Sequence, residues 1–244
     1  MTRLTACHLG PTSYRDGLAI QEGLVRARAA GETGDWLLYP DHPPVLTVGR
    51  SPSPDGLRVD PEELRTRGIE LFEVARGGDI TWHGPGQLVG YLIADLTPRG
   101  RDLHRLLRDL EQTLIDSLGR LGIAGERVAG RTGVWVAGRK IASLGVAVRR
   151  WVSYHGFALN VAPDLRAFEL IHPCGLHGIQ MTSVANCLGE RAPTLATMRH
   201  QVAATLCRQM GYTGWSWSEA SEARQCATPG LEPSPSGAAR EREV

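Results

Sequence analysis

The sequence predicts an α+β domain whose core is a mixed β-sheet with flanking helices. Short β-rich segments recur between Leu4 and Val161, and helical segments interrupt them without a regular βαβ alternation. The chain has 244 residues, of which 42% are hydrophobic, and this is enough to bury one such core. We expect residues 1–218 to form one domain. Residues 219–244 are rich in Ser, Glu, Ala, Pro and Arg, and we expect a disordered tail there.

Strands are predicted where apolar or alternating segments are bounded by glycine, proline or polar residues. The proline-rich stretch from Pro40 to Pro44 separates the second and third of them, because proline removes a backbone donor. The predicted strands are Leu4 to Leu9, Trp36 to Tyr39, Val45 to Val48, Ile69 to Ala75, Leu88 to Leu96, Gly133 to Ala137, Ile141 to Val148 and Trp151 to Val161.

Long helices are predicted where apolar residues recur at helical spacing. They run from Tyr14 to about Ala30, from Arg101 to Leu121 and from Leu195 to Met210. The leucine stripe of the second is too short for sustained heptads, so we interpret it as core rather than as a dimer zipper. Asp60 and Pro61 mark the start of a shorter helix, and another short helix is expected after Pro163.

The composition argues against several classes of function. A net charge of +1 argues against broad nucleic-acid binding, and no apolar run is long enough to span a membrane. The N-terminus does not resemble a signal peptide. The five cysteines are an odd number without a C-x-x-C pair, which argues against a disulfide framework or a structural zinc site. We therefore expect a cytoplasmic protein without a metal ion, a nucleic-acid partner or a membrane partner.

The basic residues are unusual, because the chain has 26 arginines and a single lysine, Lys140. A coding bias that replaces lysine by arginine accounts for most of this pattern. Under such a bias, a lysine that persists can mark a site that needs a group able to lose its proton, which arginine cannot do. The alternative is a solvated lysine in the hairpin turn Gly138-Arg139-Lys140. Both interpretations stay open from the composition alone.

A glycine-rich segment from Arg76 to Gln87 is a candidate ligand-binding loop. Its four glycines allow a ligand to approach the backbone, and it also contains Asp79, Thr81 and His83. The alternative is a plain hairpin connection in which the glycines serve only the turn. The number of polar side chains favours the ligand-binding loop. The segment matches neither a P-loop nor a dinucleotide-binding fingerprint.

Cys174 is a candidate nucleophile, because it lies between Pro173 and Gly175 and outside any periodic apolar element. Most free cysteines are small buried hydrophobic residues, so this alternative stays open. His172 and His177 flank the cysteine, but two histidines and one cysteine at this spacing are a weak indication of zinc.

In this order and at these separations, the segments resemble the lipoyl(octanoyl) transferase family over roughly residues 4–215. Asp41, where the family commonly has glutamate, and Trp82, in place of a smaller aromatic residue, are mild departures. The residues that match the family are Asp41–Val45, Thr47, Gly49–Arg50, Arg76–Gly78, Thr81, His83–Gln87, Gly138–Gly145, Gly156–Asn160 and Pro173–Gly175.

The resemblance implies a catalytic domain like that of the biotin and lipoate protein ligases, with no cofactor and no requirement for ATP. It implies that Cys174 carries the acyl group as a thioester and that Lys140 activates the thiol. The residues that it places around the acyl chain are Arg76, Gly77, Gly78, Asp79, Ile80, Thr81, Trp82, His83, Ser143, Leu144, Gly145, Gly156, Phe157 and Ala158.

The resemblance also implies the partners of the reaction, which would be the first step of endogenous protein lipoylation. The donor would be octanoyl-acyl carrier protein. The acceptors would be lysines of the lipoyl domains of 2-oxoacid dehydrogenase complexes and of the glycine cleavage H protein. These partners are typically acidic, so Arg131, Arg139, Arg149 and Arg150 are candidates for the face that receives them. We expect the enzyme itself to be a monomer.

Two other functions fit parts of this pattern. An ATP-dependent lipoate or biotin ligase on the same fold would activate a free acid as an adenylate and would tolerate Cys174→Ser. It would also need a basic phosphate-binding loop, whereas residues 76–83 contain one arginine. A binding module that holds an acylated partner would bind octanoyl-acyl carrier protein without becoming covalently modified.

Overall fold

A computed structural model describes residues 3–172 and 178–228 of the chain. Within these ranges, an eight-stranded mixed sheet carries helices on its two faces, and a three-stranded sheet lies beside it. The predicted α+β class with a mixed sheet is confirmed. The mixed character comes from one edge, where the first strand runs parallel to both of its neighbours while the other pairs are antiparallel.

The strands of the large sheet follow the order β11-β1-β2-β6-β10-β9-β8-β7, and those of the small sheet the order β4-β3-β5. Their bounds are β1 Leu4–Pro11, β2 Asp35–Asp41, β3 Val45–Val48, β4 Glu70–Glu73, β5 Ile80–His83, β6 Gln87–Ile93, β7 Glu126–Val128, β8 Arg131–Val136, β9 Arg139–Arg149, β10 Val152–Asn160 and β11 Trp215–Ser218.

Most of the helices begin at a side chain that accepts a backbone N–H of the first turn, as Ser13, Asp60, Asp102 and Thr194 do. The short helix expected after Pro163 is a 3₁₀ turn, Leu165–Leu170. The α-helices are α1 Tyr14–Ala30, α2 Pro61–Thr66, α3 Leu103–Gly119, α4 Val184–Leu188, α5 Leu195–Gln209 and α6 Ala220–Ala227.

The two faces of the large sheet form two separate apolar cores. Helices α3 and α5 cover one face, where Leu106, Leu110, Leu114 and Leu118 are buried within this chain. The leucine stripe is therefore core, as the sequence predicts. Helices α1 and α6 cover the other face. None of the helices in the described part of the chain is long and apolar enough to cross a membrane.

The glycine-rich segment is not a loop throughout, because its central residues Ile80–His83 form strand β5. This strand pairs antiparallel with β3, so Thr47 lies opposite Thr81. The sequence offers few local signs of it, since the strand has four residues and its partner lies more than thirty positions earlier in the chain. Strands β7 and β11 also lie outside the predicted set.

The prediction of a disordered tail from residue 219 is wrong for residues 220–227, which form helix α6. Ala223 and Ala227 are buried against α1, so the ordered part of the chain extends beyond the predicted boundary at residue 218. The polar composition that suggests disorder belongs to the outer face of this helix. Residues 229–244 lie outside the described ranges, and their disorder stays a prediction.

We expect Gly23→Ala to weaken the contact between α1 and α6. A Cβ atom at Gly23 would lie 2.0 Å from the carbonyl oxygen of Ala227, so the two backbones touch there. Overpacking of this kind costs about 1–3 kcal/mol of the free energy of unfolding, measured by urea denaturation. Helix propensity alone would instead predict that the substitution raises the free energy of unfolding by up to about 1 kcal/mol. The control is Gly119→Ala, at a helical glycine with open space around it. Stabilisation by both variants would contradict the close contact.

Candidate active site

A cleft opens where the large sheet meets the small one. Its floor is the antiparallel pair β9–β10, in which Ser143 lies opposite Ala158 and Gly145 opposite Gly156. The loop that starts at Arg76 and strand β5 form the opposite wall. The cleft has a cavity volume of about 40 Å³. It is therefore a narrow slot.

The slot gathers all of the predicted substrate residues except Gly77 and Trp82. Three further residues line it, Tyr14 on α1, Tyr91 on β6 and His155 on β10. The predicted residues along the slot are Arg76, Gly78, Asp79, Ile80, Thr81, His83, Ser143, Leu144, Gly145, Gly156, Phe157 and Ala158. Their role in binding substrate stays a prediction.

Trp82 lies away from the slot because of the alternation of strand β5. Successive side chains of a strand point to opposite faces, so Trp82 turns away from Thr81 and His83. Its ring packs into a separate apolar cluster and meets Phe168 edge-on at a centroid distance of 5.6 Å. The sequence predicts a loop here, and a loop has no such alternation, so the prediction of Trp82 as a slot residue is not confirmed. Gly77 lies next to the slot, where its N–H donates to the carbonyl of Val146.

Arg76 is a buried cation in the wall of the slot. Its guanidinium donates to the carbonyl oxygen of Thr47 at 2.6 Å, to the hydroxyl of the same residue at 2.8 Å, and to the carbonyl of Gly77 at 3.2 Å. These bonds hold the loop against strand β3. They also place a positive charge close to the neutral polar groups of the slot.

Asp79 has a structural task in this loop. Its carboxylate accepts the backbone N–H of Ser53 at 3.0 Å, the hydroxyl of Ser53 at 2.6 Å and the N–H of Ile80 at 2.7 Å. The carboxylate therefore closes the turn that leads into β5. Its position on the slot follows from that turn.

A chain of hydrogen bonds connects His83 with the segment beside Lys140. Nδ1 of His83 donates to Gln87 at 2.8 Å, Gln87 donates to Asn160 at 3.0 Å, and Asn160 donates to the carbonyl of Thr182 at 3.1 Å. The N–H of Thr182 in turn donates to the carbonyl of Lys140. Gln87 and Asn160 occur in the matching motifs, but only their positions in the fold give them this role.

Three histidines in or beside the slot are held neutral by burial. Desolvation lowers the pKa of His42 to about 4 and the pKa of both His83 and His155 to about 3. The buried charge of Arg76 also lowers the pKa of His83 and of His155. His42 donates to the carbonyl of Thr12 and accepts the hydroxyl of Tyr91, each at 2.8 Å.

His155 is the most unusual residue of the slot, because it has a φ of 58° inside a strand. A non-glycine residue seldom adopts this conformation. Its N–H donates to the buried side chain of Gln21 on α1 at 2.7 Å. Neither ring nitrogen has a hydrogen-bond partner among residues 3–172 and 178–228. No sequence signal identifies this residue, because the bond to Gln21 spans more than a hundred positions.

Lys140 is buried, with 1% of its surface exposed, so the alternative of a solvated hairpin lysine is wrong. Its ammonium lies over the ring of Trp135, 5.6 Å from the centroid. The backbone N–H of Lys140 donates to the carbonyl of Gln180 at 2.9 Å. Lys140 lies on β9 three residues before Ser143, a separation of about 10 Å along a strand. Lys140 thus lies three positions along β9 from the floor of the slot.

The predicted nucleophile Cys174 lies outside the described residues. On one side of it, the N–H of His172 donates to the carbonyl of Gly56 at 2.8 Å, and on the other side Gln180 pairs with Lys140. The described residues on the two sides of Cys174 are therefore bonded to Gly56 and to Lys140. The described residues contain no group of three or more His, Cys, Asp or Glu side chains that could hold a metal ion.

The four arginines that are candidates for contact with an acidic partner protein do not lie together, since strand β9 separates two of them along its whole length. Arg139 begins β9 next to Lys140, whereas Arg149 ends that strand, about 30 Å away at the usual rise per residue. Arg149 is also paired with Glu22 on α1 at 3.5 Å. Arg150 follows in the hairpin turn at the same distant end. The fold therefore favours Arg139, and with it Arg131 near Trp135, over the other two.

The chain is similar in sequence and in fold to known proteins. A family profile described as the lipoyl protein ligase A/B catalytic domain matches residues 13–207. An octanoyltransferase of Geobacter sulfurreducens is 50% identical over 196 residues, which are 80% of each chain. An octanoyltransferase of Chloroflexus aggregans is 44% identical over 210 residues, 85% of this chain and 95% of that protein.

Solved structures extend the similarity of the fold. A crystal structure of lipoate-protein ligase A bound with ATP has a TM-score of 0.72 at 17% identity and covers 93% of this chain and 92% of that one. A bipartite lipoate protein ligase from Thermoplasma acidophilum has a TM-score of 0.68 at 15% identity, covering 93% and 91%. At these identities the comparison concerns the fold alone.

We expect the protein to lose stability as the pH falls below about 6.5. His42, His83 and His155 take up protons more readily in the unfolded chain, because their pKa values in the folded protein are only about 3 to 4. Each of them lowers the free energy of unfolding by about 1.4 kcal/mol for each pH unit between the two pKa values. Urea denaturation between pH 7 and pH 5 measures the slope.

The free energy of unfolding of His83→Gln should depend less steeply on pH than that of the wild type, because this variant lacks one of the three buried histidines. His104→Gln replaces an exposed histidine and should show the same pH dependence as the wild type. Equal slopes in all three proteins would show that the buried histidines are not the cause.

Proposed function

The chain belongs to the lipoyl(octanoyl) transferase family, and from this premise we propose that it moves an octanoyl group from octanoyl-acyl carrier protein to a lysine of a lipoyl domain. In this proposal Cys174 carries the acyl group as a thioester, and Lys140 activates the thiol. No ATP is consumed, because a thioester donor already carries the activated acyl group. The product would be the octanoylated protein from which lipoate is then made.

The observation that carries the proposal is the shape and chemistry of the slot. Leu144, Phe157 and Ala158 on the floor strands make the slot apolar, and its narrow width suits a methylene chain. Six methylenes buried in such a slot would contribute about 5 kcal/mol at roughly 0.8 kcal/mol each. This supports firm binding of the chain and a modest discrimination of about 1 kcal/mol for each carbon.

The first half-reaction needs a thiolate. An ordinary cysteine with a pKa of about 8.5 is only about 3% thiolate at pH 7, and a nearby cation raises that fraction. The Cys174 sulfur would attack the thioester carbonyl, form the new C–S bond and release the phosphopantetheine thiolate of the carrier. Lys140 would give its proton to this leaving group.

The second half-reaction restores the enzyme. The amine of the acceptor lysine would attack the acyl-enzyme carbonyl, form the amide C–N bond and release the Cys174 thiolate. The neutral Lys140 would accept the proton of the attacking amine, which returns the pair to its starting state. Arginine would hold the charge but could not exchange the proton, which agrees with a lysine persisting at this position in an arginine-rich chain.

The proposed setting follows from the same chemistry. The acceptors would be lipoyl domains of 2-oxoacid dehydrogenase complexes and the glycine cleavage H protein, and the enzyme would act as a monomer in the cytoplasm. An ATP-dependent ligase is less well supported. Arg76, the single arginine of residues 76–83, already donates to Thr47 and Gly77.

We expect the wild-type protein to gain one octanoyl group when it is mixed with octanoyl-acyl carrier protein without acceptor. Intact mass spectrometry should show the adduct on the wild type and on Cys187→Ser, a control at an exposed cysteine, but not on Cys174→Ser. A lipoyl domain should then remove it. Lys140→Arg should slow the formation of the adduct by at least about tenfold, because proton transfer is lost.

The opposite result is equally clear. Transfer activity that persists in Cys174→Ser without any adduct would remove Cys174 from the mechanism. If that activity also required ATP and free octanoate, it would favour the ligase alternative. Binding of the carrier protein without an adduct or transfer would favour the binding module.

We expect Arg139→Glu to raise the KM for octanoyl-acyl carrier protein by about tenfold, with little change in kcat, because Arg139 is exposed beside Lys140. The matched control is Arg150→Glu, an exposed charge reversal at the far end of β9, which should leave KM within about twofold. Steady-state kinetics at low and moderate salt measure both. Equal effects of the two variants would indicate long-range charge rather than docking at the mouth of the slot.

A further inference from the structure

The side chain of Lys140 rests on the backbone of Gly133 in the neighbouring strand β8. A Cβ atom at Gly133 would lie 2.7 Å from Cε of Lys140 and 3.4 Å from Nζ. Gly133 has a φ of 137°, which side chains rarely tolerate. A small movement of Gly133 would therefore move the lysine amine. The position of the ammonium thus depends on what holds Gly133.

A buried carboxylate on α3 holds it. The N–H of Gly133 donates to Oε1 of Glu111 at 3.0 Å. The pairing of β8 with β9 shifts its register between Val134 and Trp135, next to this residue. The N–H of Gly133 thus bonds to a helix side chain at the point where the ladder is irregular.

Glu111 is itself fixed on its other side. Its side chain is 1% exposed, and its Oε2 accepts Arg108 at 2.7 Å and Arg127 at 3.0 Å. Arg127 lies on β7 and also donates to the carbonyl of Arg108 and to Gln112. The carboxylate therefore ties three elements together, with one oxygen for the arginines and one for Gly133.

We propose that Glu111 is the positioning residue for Lys140, acting through Gly133. The inference rests on the proposed function, in which Lys140 exchanges protons with the reacting groups. A flexible lysine side chain needs a fixed surface to keep its amine in one place, and this surface consists of Gly133 below and the ring of Trp135 beside it. Misplacement by about 1 Å is enough to slow a reaction by up to about a hundredfold.

Lys140 is the only lysine in the chain, which allows a direct test. Protein labelled with ¹³C,¹⁵N-lysine should give one lysine spin system, shifted by the ring current of Trp135. Glu111→Gln keeps the shape of the side chain but has one oxygen where glutamate uses two, so it cannot satisfy Gly133 and the arginines together. We expect the Lys140 signals to move toward those of a free lysine and kcat for transfer to fall at least about tenfold, with KM nearly unchanged.

The matched control is Arg105→Gln, which removes an exposed arginine of the same helix and leaves Glu111 with all of its partners. Its Lys140 signals and kcat should equal those of the wild type. Gly133→Ala should displace the signals with Glu111 in place. If Glu111→Gln folds poorly, Glu111→Asp, which keeps both oxygens on a side chain shorter by one methylene, decides the question by the same two measurements.

The outcomes separate the two proposals. Unmoved Lys140 signals in Glu111→Gln would overturn the positioning role, whatever the change in kcat, because a merely structural residue lowers stability without displacing the lysine. Displaced signals with an unchanged kcat would count against the role of Lys140 in proton exchange, whereas a wild-type protein without any transfer activity would mean that the proposed function itself fails. Displaced signals together with a lower kcat would support both.

Discussion

The antiparallel pairing of β9 with β10 is the constraint on which the site depends. It sets Ser143 opposite Ala158 and Gly145 opposite Gly156, so two distant segments become the floor of one slot. The same strand carries Lys140 at its start. A shift of one residue in this register would turn the floor side chains to the other face of the sheet. The location of the slot and its distance from the lysine therefore follow from one ladder of hydrogen bonds.

Several buried polar groups of the site, though not the His155 ring, are satisfied by other groups in the described part of the chain. Arg76 binds the wall to β3 through Thr47, and the chain from His83 through Gln87 and Asn160 joins that wall to the segment beside Lys140. Such buried bonds are costly to break, because an unpaired group would lie away from water. They make the walls rigid, and burial keeps the nearby histidines neutral, which suits a slot for an uncharged chain.

Much of the fold could be predicted from local patterns. The helices from Tyr14, Leu103 and Leu195 and most of the central strands follow from apolar periodicity and capping residues, since these signals lie within a few positions of each other. The failures have a common physical cause. Strand β5 forms because β3 offers it a partner, and helix α6 is ordered because α1 offers it an apolar surface. Neither reason is visible within the segment itself.

The sequence by itself determined the α+β class, the family and the candidate residues, because these depend on residue types and on their spacing along the chain. Only the tertiary structure decided which of these residues meet. It turned Trp82 away from the slot, brought Tyr14, Tyr91 and His155 into it, and buried Lys140 on Gly133 above Glu111. Contacts between elements far apart in sequence depend on register and on the faces that elements present. No local pattern contains that information.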